Sequence, residues 1–274
     1  MKPIGLQLYS VRNEMKADFE GTLRQVKAMG YEGVEFAGLF GKEPAYIRDL
    51  LAEIGLVPVS AHVPLADMLK EGDPLFAAYA EIGCKWIVVP YLPEDWRIDK
   101  KDPAETFAAI AKVSAQAKAH GLTMLYHNHD FEFVRDPASG KYFLDMLYEQ
   151  VPADLLETEI DTCWVGVGGE DPATYLKKYA GRAPVVHLKD YYKEGAGNEG
   201  LYELIGIAKK ATSDRSAFEL RPVGSGVQNV PAILAAAEEV GASWLIVEQD
   251  RPSAGQMPID ECTKSRNYLR TLGY

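Results

Sequence analysis

The chain has 274 residues, with 29 Lys and Arg against 40 Asp and Glu, so its formal net charge is −11. This acidic balance disfavours a nucleic-acid partner or an anionic membrane surface, because both are bound mainly through basic side chains. Three scattered cysteines form no zinc motif and no disulfide framework. With no signal-peptide pattern and no apolar run near ~18 residues, we expect a cytoplasmic protein without a membrane span.

Eight apolar segments with strand character follow one another, and helical patterns separate them. In chain order the predicted strands are residues 4–10, 33–37, 57–62, 86–90, 123–129, 155–161, 185–190 and 244–250. Strands that alternate with helices indicate a parallel sheet, and eight such units predict a closed (β/α)8 TIM barrel. We therefore expect one domain over residues 1–274. An open, doubly wound α/β sheet is the alternative.

Predicted helix starts and one long connection complete the predicted organisation of the chain. Four Asp-Pro pairs predict helix N-termini, since Asp favours the N-cap and Pro the first helical position; the Asp residues are Asp73, Asp102, Asp136 and Asp171. Residues 191–229 make a long connection after strand seven, with a short helix predicted at 201–210. A connection of this length is typical of a functional loop, and we expect it over the barrel mouth. Residues 258–272 form a predicted closing helix.

Polar residues end four of the later strands, where barrel enzymes place their chemistry. His127 and His129 follow one apolar run, and Asp161, His187 and Glu248 follow the next three. Imidazoles and carboxylates that converge in this way predict a site for one divalent cation, namely manganese, magnesium, cobalt or zinc. We expect His127, Asp161, His187 and Glu248 as ligands, although His129 is an alternative to His127.

Other residues near strand ends are candidates for catalysis or substrate binding. His129 is the expected base. Lys189 could protonate a leaving hydroxyl or make a salt bridge with a carboxylate such as Glu159, which needs a partner inside a barrel. Glu248 and Glu159 are further candidates for catalysis. The expected substrate-binding residues are Gln7, Tyr9, Glu35, His62, Trp164 and Arg221. For His62, the alternative to substrate binding is a purely structural role.

Five segments occur in an order that resembles a known family. They are YHNHDFEF at 126–133, IDTCWVGVGG at 160–169, VVHLKD at 185–190, PVGSGVQN at 222–229 and IVEQD at 246–250. Together they resemble the sugar phosphate isomerase/epimerase family, with its xylose isomerase-like TIM barrel, and especially the inosose dehydratase-like branch. The resemblance covers essentially the whole chain. It implies a metal-dependent enzyme that acts on a small sugar or cyclitol, and it leaves a homo-oligomer open.

One departure from the family bears on the reaction. The family's epimerases hold one metal with Glu, Asp, His and Glu; three of these fall on Asp161, His187 and Glu248, and the first Glu falls on His127. The resemblance implies that the two glutamates act as an acid/base pair in epimerisation. Their loss as a pair favours a dehydratase or lyase that acts on a keto-sugar or keto-cyclitol and removes a proton next to a metal-bound carbonyl. The alternatives are an isomerase or epimerase, a non-catalytic sugar-binding barrel and a zinc endonuclease, the last disfavoured by the charge.

Overall fold

A closed barrel of eight parallel strands forms the centre of the protein. The computed structural model describes residues 1–97, 100–193 and 218–274. The barrel strands are β1 (Ile4–Gln7), β2 (Gly33–Ala37), β3 (Val57–His62), β4 (Trp86–Val89), β5 (Thr123–His127), β6 (Leu156–Asp161), β7 (Val185–Leu188) and β10 (Trp244–Val247). They lie in this order, and β10 pairs in parallel with both β7 and β1, which closes the barrel. The predicted TIM barrel is therefore confirmed.

Helices surround the barrel, and most of them follow a strand. They are α1 (Arg12–Ala17), α2 (Phe19–Met29), α3 (Pro44–Ile54), α4 (Leu65–Glu71), α5 (Asp73–Ile82), α6 (Pro103–Ala119), α7 (Phe143–Gln150), α8 (Thr162–Val167), α9 (Pro172–Lys177), α10 (Val230–Glu239) and α11 (Pro258–Thr271). The predicted closing helix is confirmed as α11. Within the described residues, no helix has both the length and the apolar character that crossing a membrane requires.

The predicted helix starts have different outcomes. Asp102 and Asp171 are N-caps, and their carboxylates accept hydrogen bonds from the backbone amides of Ala104 and Thr174. Asp73 is itself the first residue of α5. The prediction at Asp136 is wrong, because its carboxylate accepts hydrogen bonds from the amide and hydroxyl of Ser139 in a turn. The next helix, α7, begins at Phe143.

Five of the barrel strands end earlier than their apolar pattern predicts. The first strand stops at Gln7, whose side-chain oxygen accepts a hydrogen bond from the amide of Tyr9 and starts a 3-10 turn. β5 stops at His127 and β7 at Leu188, so His129 and Lys189 lie just beyond their strands. The residues past these ends belong to the mouth of the barrel, where backbone direction changes.

The opposite end of the barrel is filled with apolar side chains. One buried cluster draws a residue from most of the strands: Val59, Trp86, Val88, Leu125, Val185 and Ile246. A larger apolar core lies between the strands and the helices. Side chains inside a TIM barrel pack in layers. This apolar cluster therefore closes the end of the barrel that lies opposite the mouth. The interior is therefore open to solvent from the mouth, where the polar residues lie.

The connection after β7 contains a strand pair that the sequence pattern did not reveal. β8 (Asp190–Lys193) and β9 (Phe218–Arg221) form an antiparallel pair outside the barrel. The buried carboxylate of Asp190 accepts hydrogen bonds from four backbone amides, those of Tyr191, Gly224, Gly226 and Gln228. This carboxylate fixes the 224–228 loop. The predicted helix at 201–210 lies outside the described residues.

Candidate active site

Four buried side chains meet at the mouth of the barrel, at the ends of its last four strands. His127 ends β5, Asp161 ends β6, His187 lies near the end of β7, and Glu248 follows β10. One nitrogen or oxygen atom from each lies within 4.8 Å of those from the others. The structure thus brings together the four residues that the sequence analysis proposes as metal ligands.

The two histidines of this group are oriented by carboxylates beneath them. His127 places Nδ1 3.0 Å from Glu159 Oε1 and turns Nε2 towards Asp161. His187 places Nε2 2.7 Å from Glu35 Oε2 and Nδ1 3.1 Å from Glu248 Oε2. In metal sites, a ligating imidazole usually donates its other ring N–H to a carboxylate in this way. His127 Nε2 and His187 Nδ1 are therefore the nitrogens suited to a metal.

Asp161 divides its two carboxylate oxygens between two tasks. Oδ1 accepts a hydrogen bond from the amide of Trp164 and caps α8. Oδ2 is buried and has no hydrogen-bond partner, although Lys189 Nζ lies 3.2 Å from it. Burial raises the pKa of Asp161, while Lys189 opposes that rise. An unsatisfied buried oxygen aimed at the histidine pair fits a metal ligand.

A layer of buried polar residues supports the group from below. Glu35 accepts hydrogen bonds from Gln7 Nε2 at 2.7 Å and Ser60 Oγ at 2.6 Å. Glu159 Oε1 lies 2.6 Å from His62 Nε2. Burial opposes protonation of His62, but Glu35 and Glu159 outweigh it and raise the His62 pKa to about 10. His62 is therefore a cation that helps to neutralise this carboxylate pair.

The lower layer contains a second group that could hold a metal. It consists of His62, His127, Glu159 and His187, and so shares two histidines with the upper group. In this lower group, His62 and Glu159 already face each other in a short hydrogen bond. Each group contains one buried carboxylate oxygen without a hydrogen-bond partner, Glu159 Oε2 in the lower and Asp161 Oδ2 in the upper. The upper group offers a divalent cation two carboxylates, whereas the lower group offers one. The upper group is accordingly the better metal candidate.

Lys189 is buried at the edge of the upper group among three carboxylates. Its Nζ lies 2.8 Å from Glu248 Oε2, 3.1 Å from Asp250 Oδ2 and 3.2 Å from Asp161 Oδ2. Burial lowers the pKa of Lys189, but these three carboxylates outweigh it and hold the pKa well above its usual value. Lys189 is therefore protonated, and its partners differ from the Glu159 that the sequence suggests.

His129 lies close to this group without joining it. Its ring stacks on Phe131 and packs against Trp164, with centroid distances of 5.2 Å in both pairs. Nδ1 of His129 is buried and has no hydrogen-bond partner. Burial, with a further effect of Lys189, lowers the His129 pKa well below its usual value. His129 is thus a neutral imidazole with one unused ring nitrogen.

A cavity of about 610 Å³ opens above these residues. Seven of the polar and aromatic side chains discussed above line it: Tyr9, His62, His127, His129, Lys189, Glu248 and Asp250. The other proposed substrate-binding residues do not line this cavity. Gln7 and Glu35 are fully buried in the supporting layer. Trp164 is also fully buried, and Arg221 pairs with Glu219 on β9.

Two residues of the site were not identified from the sequence. Asp250 lines the cavity and contacts Lys189; its place two residues after Glu248 is the signal that could have found it. Asn128 joins the ends of β5 and β6, because its amide oxygen accepts from the backbone N–H of Asp161 and its amide nitrogen donates to the Asp161 carbonyl. Nothing in the local pattern predicts that contact.

The charges of the site also fit a bound cation. Within the described residues, the site contains one buried lysine, Lys189, and five buried carboxylates; they are Glu35, Glu159, Asp161, Glu248 and Asp250. Buried charges must be paired or coordinate a metal. His62 and His187 offset part of this negative charge, since neighbouring carboxylates raise the pKa of each against the effect of burial. A divalent ion between Asp161 and Glu248 would offset more of it.

Comparisons with known proteins agree with this fold. A family model described as xylose isomerase-like TIM barrel matches residues 23–272. Inosose dehydratase from Geobacillus kaustophilus is 24% identical over 277 residues, which cover 91% of this chain and 86% of that protein. A sugar phosphate isomerase/epimerase structure from Parabacteroides distasonis has a TM-score of 0.78 at 23% identity, covering 98% of both chains.

A third similar protein was solved with a bound metal. The structure of the IOLI protein, which carries a zinc atom, has a TM-score of 0.71 at 15% identity and covers 99% of this chain and 98% of its own. The relatives named as dehydratase and isomerase/epimerase are enzymes, which confirms the prediction of an enzyme. Because the family model matches nearly the full length, the chain belongs to the xylose isomerase-like TIM barrel family.

Proposed function

We propose that the protein is a divalent-metal-dependent lyase of the dehydratase type, acting on a keto-sugar or keto-cyclitol. The observation that carries the proposal is the asymmetry of the cavity. One neutral base, His129, has an unused nitrogen, and one ammonium group, Lys189, lies among three carboxylates. An elimination needs one base and one acid, and these two side chains supply them. The named relative inosose dehydratase supports the same reaction class.

The metal would be held by His127, Asp161, His187 and Glu248. Mixed nitrogen and oxygen ligands suit manganese, cobalt or zinc, and magnesium where oxygen ligands dominate. When bound, a divalent ion supplies Lewis-acid polarisation of a ketone oxygen, which makes the neighbouring C–H more acidic. The pKa of Glu248 is lowered well below its usual value, because Lys189 and His187 outweigh the effect of burial. Glu248 therefore stays ionised, as a ligand must.

The proton transfers fall to residues that line the cavity. The imidazole of His129 accepts the proton from the carbon beside the ketone, since it lines the cavity and is neutral. Lys189 donates a proton to the leaving oxygen, and its carboxylate partners hold the ammonium in place. Glu159 has a supporting role, because it contacts His62, His127 and His187 and does not line the cavity.

An isomerase or epimerase is the second candidate function. Asp250 lines the cavity, and burial raises its pKa to about 7 against the effect of Lys189. A carboxyl group with that pKa could exchange protons near neutral pH, which would give the site a second acid/base residue. The similar isomerase/epimerase structure supports this alternative.

Product analysis separates the two functions. Manganese-loaded enzyme is incubated in heavy water with a keto-inositol or a 3-keto-sugar, with and without a chelator. The proposed reaction gives an unsaturated ketone that absorbs ultraviolet light, together with the released group, and the chelator abolishes both. His129→Gln should retain the metal and lose the reaction. Clean interconversion of two epimers, with deuterium incorporated and nothing eliminated, would replace the lyase by the epimerase.

A further inference from the structure

The cavity at the barrel mouth has two halves of different character. The charged half comes from the ends of β5, β7 and β10, with His129, Lys189, Glu248 and Asp250 at its surface. The other half comes from the segments that follow β2, β3 and β4 and from α4 and α5. Its apolar wall contains Leu39, Val63, Leu75, Ala78, Tyr79 and Tyr91. Both halves line one continuous space.

The first segment of the apolar half has an unusual backbone. Residues 38–41 connect β2 towards α3, and Gly38, Phe40 and Gly41 all have positive φ. Phe40, with φ of 53°, is the one non-glycine residue of this kind in the described chain. Such a conformation is strained for a residue with a side chain and persists only where its surroundings hold it. Here the Phe40 ring packs on Phe19, with centroids 5.9 Å apart, and Leu39 lines the cavity.

The charges around the cavity point to a neutral ligand. Among the described residues that line it, Lys189 is the sole Lys or Arg, and three carboxylates already pair with it. The imidazolium of His62 also lines the cavity, and Glu35 and Glu159 already pair with it. The exposed acidic residues Asp67 and Glu71 lie at the apolar half. The amides of the 224–228 loop, which could bind a phosphate, donate instead to Asp190. A phosphorylated substrate would find little positive charge here.

The size of the cavity exceeds what a single sugar ring needs. Its volume of about 610 Å³ lies within the ~300–1,000 Å³ range of pockets that enclose drug-sized ligands. We propose that the apolar half binds the group that leaves, so that the substrate is a neutral keto-glycoside with an apolar ring as its aglycone. This inference rests on the proposed lyase function, and it names the substrate class of that site.

The reaction on such a substrate balances without a further reagent. His129 takes the proton from the carbon between the ketone and the anomeric carbon, and a C=C bond forms between that deprotonated carbon and the anomeric carbon. The bond from the anomeric carbon to the aglycone oxygen breaks, and its electron pair leaves with that oxygen. Lys189 protonates the oxygen. The products are an unsaturated keto-sugar and the aglycone alcohol, with no net oxidation or reduction.

Equilibrium binding of unreactive glycosides tests the subsite separately from catalysis. Cyclohexyl β-glucoside and methyl β-glucoside lack the ketone, and their affinities are measured by calorimetry on the manganese-loaded protein. Burial of the cyclohexyl ring should make its glucoside bind at least about tenfold more tightly, with a more negative heat-capacity change. Equal affinities for the two glucosides would overturn the inference.

Two neighbouring alanines of α5 give a matched pair of variants. Ala78→Phe fills the apolar half and should abolish the preference for the cyclohexyl compound. Ala77→Phe places the same side chain on the exposed face of the helix and should retain it. If Ala78→Phe does not fold, Leu39→Asn on the partly exposed loop should reduce the preference instead. If every variant of the apolar wall that folds still binds the cyclohexyl glucoside more tightly than the methyl glucoside, the subsite is refuted.

The 3-keto derivatives of both glucosides separate failure of the subsite from failure of the proposed function. Their aglycones are simple alcohols of similar leaving ability, so a difference in kcat/KM reports binding. Elimination with a clear preference for the cyclohexyl compound supports both proposals. Elimination of both at equal kcat/KM refutes the subsite and leaves the lyase intact. Tighter binding of the cyclohexyl glucoside without any elimination refutes the lyase.

Discussion

Lys189 occupies the position from which a cation can serve Asp161 and Glu248, so its replacement tests the metal site directly. In Lys189→Met, three buried carboxylates lose their ammonium partner at 2.8–3.2 Å. Removing one member of a buried ion pair costs about 3–5 kcal/mol. At ~2–4 °C per kcal/mol, the metal-free variant should melt about 6–20 °C below the metal-free native protein.

Saturating manganese should restore much of that loss. In the native protein the ion approaches an ammonium, and two unit charges 4 Å apart repel by about 4 kcal/mol at an effective dielectric constant of 20. The variant lacks that repulsion while its carboxylates remain. We therefore expect manganese to raise the Tm of Lys189→Met more than that of the native protein, and to bind it at least about tenfold more tightly.

Calorimetric scans and isothermal titration with manganese measure both effects. Lys141→Met is the control, because Lys141 pairs with Glu149 at the surface, where both side chains are about half exposed. Surface pairs contribute about 0–1 kcal/mol, so this variant should match the native protein with and without manganese. A smaller metal-induced rise in Tm for Lys189→Met than for the native protein would refute the reasoning.

Three further predictions follow from other buried carboxylates. Glu159→Gln removes the carboxylate that orients His127 Nδ1, and manganese affinity should fall about 10–100-fold; an unchanged dissociation constant in titration calorimetry would exclude this supporting role. Burial raises the pKa of Glu132 to about 8 from an ordinary value of 4.5, so the stability it contributes is complete below pH 4.5 and is lost as the pH rises through 8. Urea unfolding should therefore show the native protein losing stability relative to Glu132→Gln across that window, by at most about 1.4 kcal/mol per pH unit; a constant difference would contradict the shift. Asp190→Asn leaves one acceptor oxygen for four amides, and it should cost about 1–3 kcal/mol in urea unfolding and speed amide exchange of Gly224 and Gly226; unchanged exchange at both glycines would show that this carboxylate does not hold the loop.

The barrel could be predicted from the sequence because its signals are local. The apolar runs recur along the chain, and glycines and Asp-Pro pairs recur between them. The wrong prediction of a helix start at Asp136 therefore does not change the number of predicted strands. The ends of strands depend on contacts that no pattern records. The first strand ends where the Gln7 side chain binds the amide of Tyr9, and the same side chain contacts Glu35 from another strand.

The site residues also fall into two groups: those that the local sequence pattern predicts, and those whose positions depend on contacts elsewhere in the fold. Period-two alternation and position near a strand end suffice to place His127, Asp161, His187 and Glu248 together. Trp164 was expected at the substrate because it lies three residues after Asp161. Asp161 caps the helix that contains Trp164, and this local turn places the indole in the interior beside His129. The pairing of Arg221 with Glu219 likewise depends on the β8–β9 pair, which the sequence pattern did not reveal.

The division of the cavity between two halves of the barrel has a consequence for how such a protein can change. The proposed ligands His127, Asp161 and His187 lie within the parallel pairing of β5 to β7 and β10, which fixes their backbone, and the proposed base and acid follow β5 and β7 within two residues. The apolar wall lies on the connections after β2 to β4. Insertions and exchanges in those connections can therefore accumulate while the reacting groups keep their positions. Substrate range can diversify among descendants of one ancestor, and in the laboratory loop exchange could redirect the same reaction to a different aglycone.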